Sequence, residues 1–75
     1  MFQPLFEKVV FIGFGLIGSS LARVMIAENL AQYIVASTRS QKTLDDAQAL
    51  GLIQQGFINP VDAVQGADLV VLALP

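Results

Sequence analysis

The chain has 75 residues, 55% of them hydrophobic and 13% charged, with a formal net charge of −2. Cysteine and histidine are both absent, which excludes disulfides, thiolate chemistry, an imidazole base and the usual zinc ligands from this stretch. No basic cluster exists to meet a nucleic acid, and no apolar run approaches the roughly 20 residues that span a bilayer.

The N-terminus lacks the basic start of a signal peptide, and Glu7 and Lys8 interrupt its apolar residues. A cytoplasmic protein with no membrane partner fits these features. The apolar content exceeds what a free-standing domain of this length covers, because small domains leave much of their surface wet. The expectation is the N-terminal part of a larger protein.

Residues 1–7 read as a lead-in, with Phe2, Leu5 and Phe6 as a hydrophobic anchor under the sheet edge or against a partner domain. Residues 8–12 form a first strand. Their apolar run is continuous, as in a parallel strand covered on both faces. A helix from about residue 16 to 28 follows. Ile17, Leu21, Val24 and Met25 recur at helical spacing and are expected to face the sheet, with Arg23 and Glu28 solvated. Asn29 stops it. A second strand covers residues 33–37, with Thr38 at its carboxyl end. A polar loop leads into a second helix over residues 41–50, with Ser40 as N-cap. Leu44, Ala47 and Leu50 repeat along it, and Gly51 sits just past its end. A weak strand is expected near residues 55–58. Asn59 and Pro60 then start a short helix as N-cap and first helical residue. Asp62 is placed to complete a capping-box-like pair, and the helix is expected to end at Gly66. Asp68, in a turn role, introduces a fully apolar strand over residues 69–74. Strands alternate with helices and no hairpin signal appears, which argues a parallel sheet with right-handed crossovers. The fold class is α/β, the N-terminal portion of a Rossmann-type doubly wound parallel sheet in the order β-α-β-α-β-α-β, incomplete within residues 1–75.

The organising motif lies between the first strand and the first helix. Gly13, Gly15 and Gly18 have the G-x-G-x-x-G spacing of a dinucleotide-binding turn. Gly13 allows the tight turn, Gly15 lets the backbone approach a pyrophosphate, and Gly18 lets the helix pack closely on the strand. The free N–H groups around Leu16 and Ile17 point at the phosphates, helped by the positive end of the helix dipole. A bare glycine-rich packing turn is the bland alternative. A Walker-type phosphate loop is excluded by the spacing. At the end of the second strand, where a carboxylate selects NAD by bonding the ribose, stand Thr38, Arg39, Ser40 and Gln41. Arg39 is suited to a bidentate pair with a 2′-phosphate, and Thr38 and Ser40 add hydroxyl donors. The expected cofactor is NADP in preference to NAD. Lys42 is read as solvated. Leu74 and Pro75, at the end of the last strand, are further cofactor candidates, because ligands cross the carboxyl ends of parallel strands. Asp62 and Asp68 are read as capping and turn residues rather than a catalytic pair. No catalytic and no metal-binding residue is expected here.

The run Gly13-Phe14-Gly15-Leu16-Ile17-Gly18-Ser19-Ser20-Leu21-Ala22 resembles the opening of the prephenate/arogenate (cyclohexadienyl) dehydrogenases of tyrosine biosynthesis. Ala49-Leu50-Gly51-Leu52-Ile53 and Ala67-Asp68-Leu69-Val70-Val71-Leu72-Ala73-Leu74-Pro75 are similar too, so the resemblance covers nearly the whole chain from Lys8. It implies a parent enzyme that oxidatively decarboxylates prephenate or arogenate with a nicotinamide dinucleotide. It maps the glycine motif onto Gly13, Gly15 and Gly18 and the cofactor-selecting position onto Thr38 and Arg39. NAD-using members carry Asp at the first of these, so the departure supports NADP. The resemblance further implies that the catalytic His, an assisting Ser and substrate-binding Arg residues lie beyond these 75 residues, as does the helical domain that forms a homodimer. The 75 residues alone are then expected to show no turnover. Two other readings share the motif: a non-enzymatic NAD(P)-sensing module, and another reductase such as a 3-hydroxyacid dehydrogenase.

Overall fold

The computed structural model describes residues 3–74. Along them run β1 (Phe6–Ile12), α1 (Leu16–Ala27), β2 (Ala31–Ser37), α2 (Gln41–Ala49), β3 (Gln55–Phe57), α3 (Pro60–Ala63) and β4 (Leu69–Leu72). The strands form one parallel sheet in the order β3-β2-β1-β4. The path steps outward from β1 through β2 to β3, then returns to the other side of β1. A topological switch point therefore lies between β1 and β4. The expected α/β fold, a Rossmann-type portion, is the one found.

Val9, Val10 and Phe11 have no exposed surface, as the unbroken apolar run of β1 requires. Successive side chains point to opposite faces, and this divides the core in two. Val9 and Phe11 meet Ala22 and Met25 of α1 and Leu44 and Ala47 of α2 on one face. Val10 and Val35 meet Ala63 of α3 on the other. Both faces carry helices, so the sheet is doubly wound.

Several expectations need correction. β1 begins at Phe6 rather than residue 8, because Phe6 pairs with Ala31 and donates its N–H to the Leu30 carbonyl at 3.0 Å. Phe6 packs against the core while Leu5 is exposed; Phe2 lies outside the described residues. The buried face of α1 is Gly18, Ala22 and Met25, with Leu21 partly covered. Ile17 and Val24 are exposed, at 76% and 51%. Small residues at i and i+4 let the helix come close to the sheet, so the apolar residues beside them turn outward. Leu50 is the C-cap of α2 and is exposed.

α3 has only four residues and ends at Ala63 instead of Gly66. The Asn59 side chain caps it by accepting from the Val61 N–H at 2.9 Å. The Asp62 carboxylate makes no return bond among the described residues; Asp is one methylene shorter than the Glu such a box uses. β4 is not buried throughout. Leu69 and Val71 pack on the core, whereas Val70 and Leu72 are exposed. α3 packs on β2 and β3, which leaves this face of β4 uncovered. Asp68 does serve as an anchor: its carboxylate accepts from the N–H groups of Glu7 at 2.8 Å and Lys8 at 3.2 Å, tying the entrance of β4 to that of β1.

β3 sits so close to α2 that Gly56 has no room for a side chain. A Cβ there would stand 2.9 Å from both Cβ and Cδ2 of Leu44, itself buried. Gly56→Ala should therefore destabilise the fold by about 1–3 kcal/mol, the usual range for overpacking. The urea midpoint checks this, and an unchanged midpoint would show that α2 can shift away.

Candidate functional site

The carboxyl ends of β1, β2 and β4 open onto one cleft of about 970 Å³, within the range of small-molecule sites. Gly13 makes its floor possible. It has φ +82°, a left-handed conformation that side chains disfavour, and a Cβ would lie 2.7 Å from the Ala73 carbonyl oxygen. Its N–H donates to the Ser37 carbonyl at 2.7 Å, and Ala73 donates to the Ile12 carbonyl at 2.8 Å. The turn is thus fastened to both neighbouring strands. Phe14 is buried under it and meets Phe11 edge to face, with ring centroids 5.5 Å apart.

α1 opens from this turn without a side-chain cap. Gly15 is its N-cap, and the Gly15 carbonyl takes the Ser19 N–H at 3.0 Å as the first helical bond. The N–H groups of Leu16, Ile17 and Gly18 precede that bond and have no acceptor within the helix. A Cβ on Gly15 would meet nothing within 4 Å. The protein itself does not demand glycine there; the open space is what an approaching anion would use. Uncapped N–H groups and the helix dipole fit a pyrophosphate.

The other wall comes from β2 and the segments beyond it. Thr38, Arg39 and Thr43 line the cleft with Ile58 and Pro60. Among the described residues, Arg39 is the one charged residue on the lining and no carboxylate lines the cleft. Arg39 makes no ion pair among the described residues. Ser40 is engaged elsewhere: its Oγ accepts from the Thr43 N–H at 3.2 Å as the N-cap of α2, and it does not line the cleft. Lys42 is held by Asp46 at 2.8 Å, one turn along the exposed face of α2. The hydrogen bond to that carboxylate, with its charge, raises the Lys42 pKa above the ordinary 10.5.

Of the residues expected from sequence, Gly13, Gly15, Leu16, Ile17, Thr38, Arg39 and Leu74 line one cleft. Gly18 lies behind it, against Ala73 and Phe14. Pro75 falls outside the described residues. Thr43, Ile58, Pro60 and Ala73 also line the cleft and were not anticipated. Thr43 was findable, since it is the N3 residue of a helix whose N-cap was recognised; the others depend on how β3 and β4 pair.

Two comparisons bear on this geometry. The family model described as NADP oxidoreductase, coenzyme F420-dependent, matches residues 8–75. The chain belongs to that family. In this F420-dependent NADP oxidoreductase family member, the match includes the glycine turn, the Thr38–Arg39 strand end and the Ala73–Leu74 exit. Among solved structures, prephenate dehydrogenase from A. aeolicus, in complex with hydroxyphenyl propionate and NAD+, has the same fold with a TM-score of 0.85. The two are 23% identical; the alignment covers 92% of this chain and 24% of that one. This chain therefore spans about a quarter of its neighbour's length. It is a nicotinamide-dinucleotide-binding Rossmann domain.

The Ser40 cap sets where Thr43 sits. Ser40→Ala should lower stability by about 1 kcal/mol, the usual cost of losing an N-cap, with reduced protection of the first-turn amides of α2 in hydrogen exchange. Unchanged protection would show that the cap contributes nothing.

Proposed function

We propose that this chain is the cofactor-binding start of an NAD(P)-dependent dehydrogenase of the prephenate/arogenate type, and that it prefers NADP. The carrying observation is the charge of the cleft: among the described residues its lining holds one guanidinium and no carboxylate, in a chain whose net charge is −2. A carboxylate at this strand end would repel a 2′-phosphate, whereas Arg39 attracts one and can meet it with two parallel N–H bonds. Thr38 and Thr43 add hydroxyl donors. Ser40 acts indirectly, by capping α2. The N–H groups of Leu16, Ile17 and Gly18 hold the pyrophosphate. Ile58 and Pro60 offer an apolar wall for the adenine, and Leu74 continues along the cofactor.

The bound dinucleotide supplies a hydride acceptor, and in the proposed reaction carbon dioxide leaves as the substrate ring aromatises. The residues here bind and orient; none of them moves a proton. Support for this substrate comes from the resemblance of the Gly13–Ala22, Ala49–Ile53 and Ala67–Pro75 stretches, together with the fold shared with a prephenate dehydrogenase. The parent is proposed to be a cytoplasmic homodimer that binds its small-molecule substrate through residues beyond these 75. The family description favours a second reading, in which coenzyme F420 is the other substrate. Assaying the full-length protein with NADP against prephenate, arogenate and coenzyme F420 separates the two, and turnover of F420 alone overturns the first.

Cofactor choice is tested in the same protein by titration calorimetry. Arg39→Ala should weaken NADP binding by roughly 10- to 100-fold, the value of a charge-assisted contact of about 1.5–3 kcal/mol, and leave NAD nearly unchanged. Thr43→Val should cost NADP a few-fold, and Lys42→Met neither cofactor. An equal loss of both cofactors in Arg39→Ala, or no loss, removes the 2′-phosphate from Arg39.

A further inference from the structure

Three atoms of Ala73 converge on the glycine turn. Its N–H holds the Ile12 carbonyl at 2.8 Å. Its carbonyl oxygen occupies the space a Gly13 side chain would need, 2.7 Å from the Cβ position. Its own Cβ stands 3.3 Å from the Cβ position of Gly18, closer than Phe14 Cδ1 at 3.4 Å or the Gly13 carbonyl at 3.6 Å. Gly18 belongs to the first turn of α1, of which Leu16 and Ile17 line the cleft, and Ala73 lines that cleft too. A side chain at Gly18 would therefore meet the exit of β4 at the Ala73 methyl group.

We propose that Ala73 is a positioning residue for the dinucleotide, matched in size to Gly18 so that the N–H groups of Leu16, Ile17 and Gly18 sit at the depth the pyrophosphate requires. A methyl added at Gly18 meets the Ala73 methyl first. Close-packed interiors pass such strain on rather than absorb it, so the helix start moves outward by a few tenths of an ångström. The two glycines differ in kind. The obstruction at Gly18 is a side chain that can be removed. At Gly13 it is a backbone carbonyl that every residue at position 73 carries. The inference rests on the reading of the cleft as a dinucleotide site.

The test is a set of dissociation constants for NADP and NAD, with thermal midpoints, in the full-length protein and its variants. Gly18→Ala should weaken both cofactors alike, roughly tenfold, since small misplacements of binding groups carry large costs. Adding Ala73→Gly should restore most of that affinity, because it removes the nearest atom a Gly18 side chain would meet. The same Ala73→Gly should restore nothing in Gly13→Ala. Failure of Ala73→Gly to rescue Gly18→Ala overturns the proposal, as does equal rescue of both glycine variants, which would mean general loosening. Recovery of the thermal midpoint without recovery of affinity also overturns it, leaving Ala73 a packing residue only. If the unmodified protein binds neither cofactor, the dinucleotide reading itself falls and takes this inference with it; binding without rescue defeats only the inference.

Discussion

The backbone at Gly13 leaves β1 in a left-handed conformation, and in that single residue the chain is fastened on both sides. The Gly13 N–H reaches β2 at Ser37, while the preceding carbonyl, of Ile12, receives the Ala73 N–H from the β4 side. Ala73's carbonyl then fills the place of a side chain at Gly13. Everything at the carboxyl edge of the sheet depends on this constraint. It ends β1 at a fixed point, aims α1 across the sheet and leaves the first N–H groups of that helix facing the cleft. It also joins segments that are 60 residues apart in the chain (Gly13 and Ala73). A close approach between backbones admits no side chain between them, and glycine is the residue without one.

In the proposed reading, the cleft lets a chain with a net negative charge receive a polyanion. The positive character comes mostly from backbone: uncapped N–H groups and the dipole of α1. One guanidinium, Arg39, is added on the opposite wall. The polar groups next to that wall in sequence serve the helix that carries them. Ser40 caps α2, and Asp46 holds Lys42 along its exposed face. Thr38 and Thr43 are left beside Arg39. Loop residues next to one another in sequence thus take different tasks, because the start of α2 turns each in a different direction.

Much of the architecture was legible in the chain itself. The continuous apolar run of β1 is a signal of two-sided cover, and the core at Val9, Val10 and Phe11 confirms it. Ser40 and Asn59 are caps because their oxygen atoms reach N–H groups within their own first turns, a local matter that needs no fold. The buried face of α1 departs from its hydrophobic periodicity for a definite reason. Ile17 and Val24 carry the stronger hydrophobic signal, but Gly18 and Ala22 allow the closer approach. Hydrophobic periodicity weighs apolar bulk, whereas this contact selects for its absence. β4 departs from its pattern in the opposite direction. Its apolar run is as continuous as that of β1, yet among the described residues nothing covers Val70 and Leu72.

The order of the elements, the glycine turn and the Arg39 strand end are all local matters, because each rests on neighbours within a few residues. Three further outcomes arise from the packed fold: which side of β1 receives β4, that Thr43 and not Ser40 lines the cleft, and that Ala73 stands against Gly13 and Gly18. Those outcomes depend on parallel pairing between distant segments. The register of that pairing is set by packing across the whole sheet, which no local window of the chain contains.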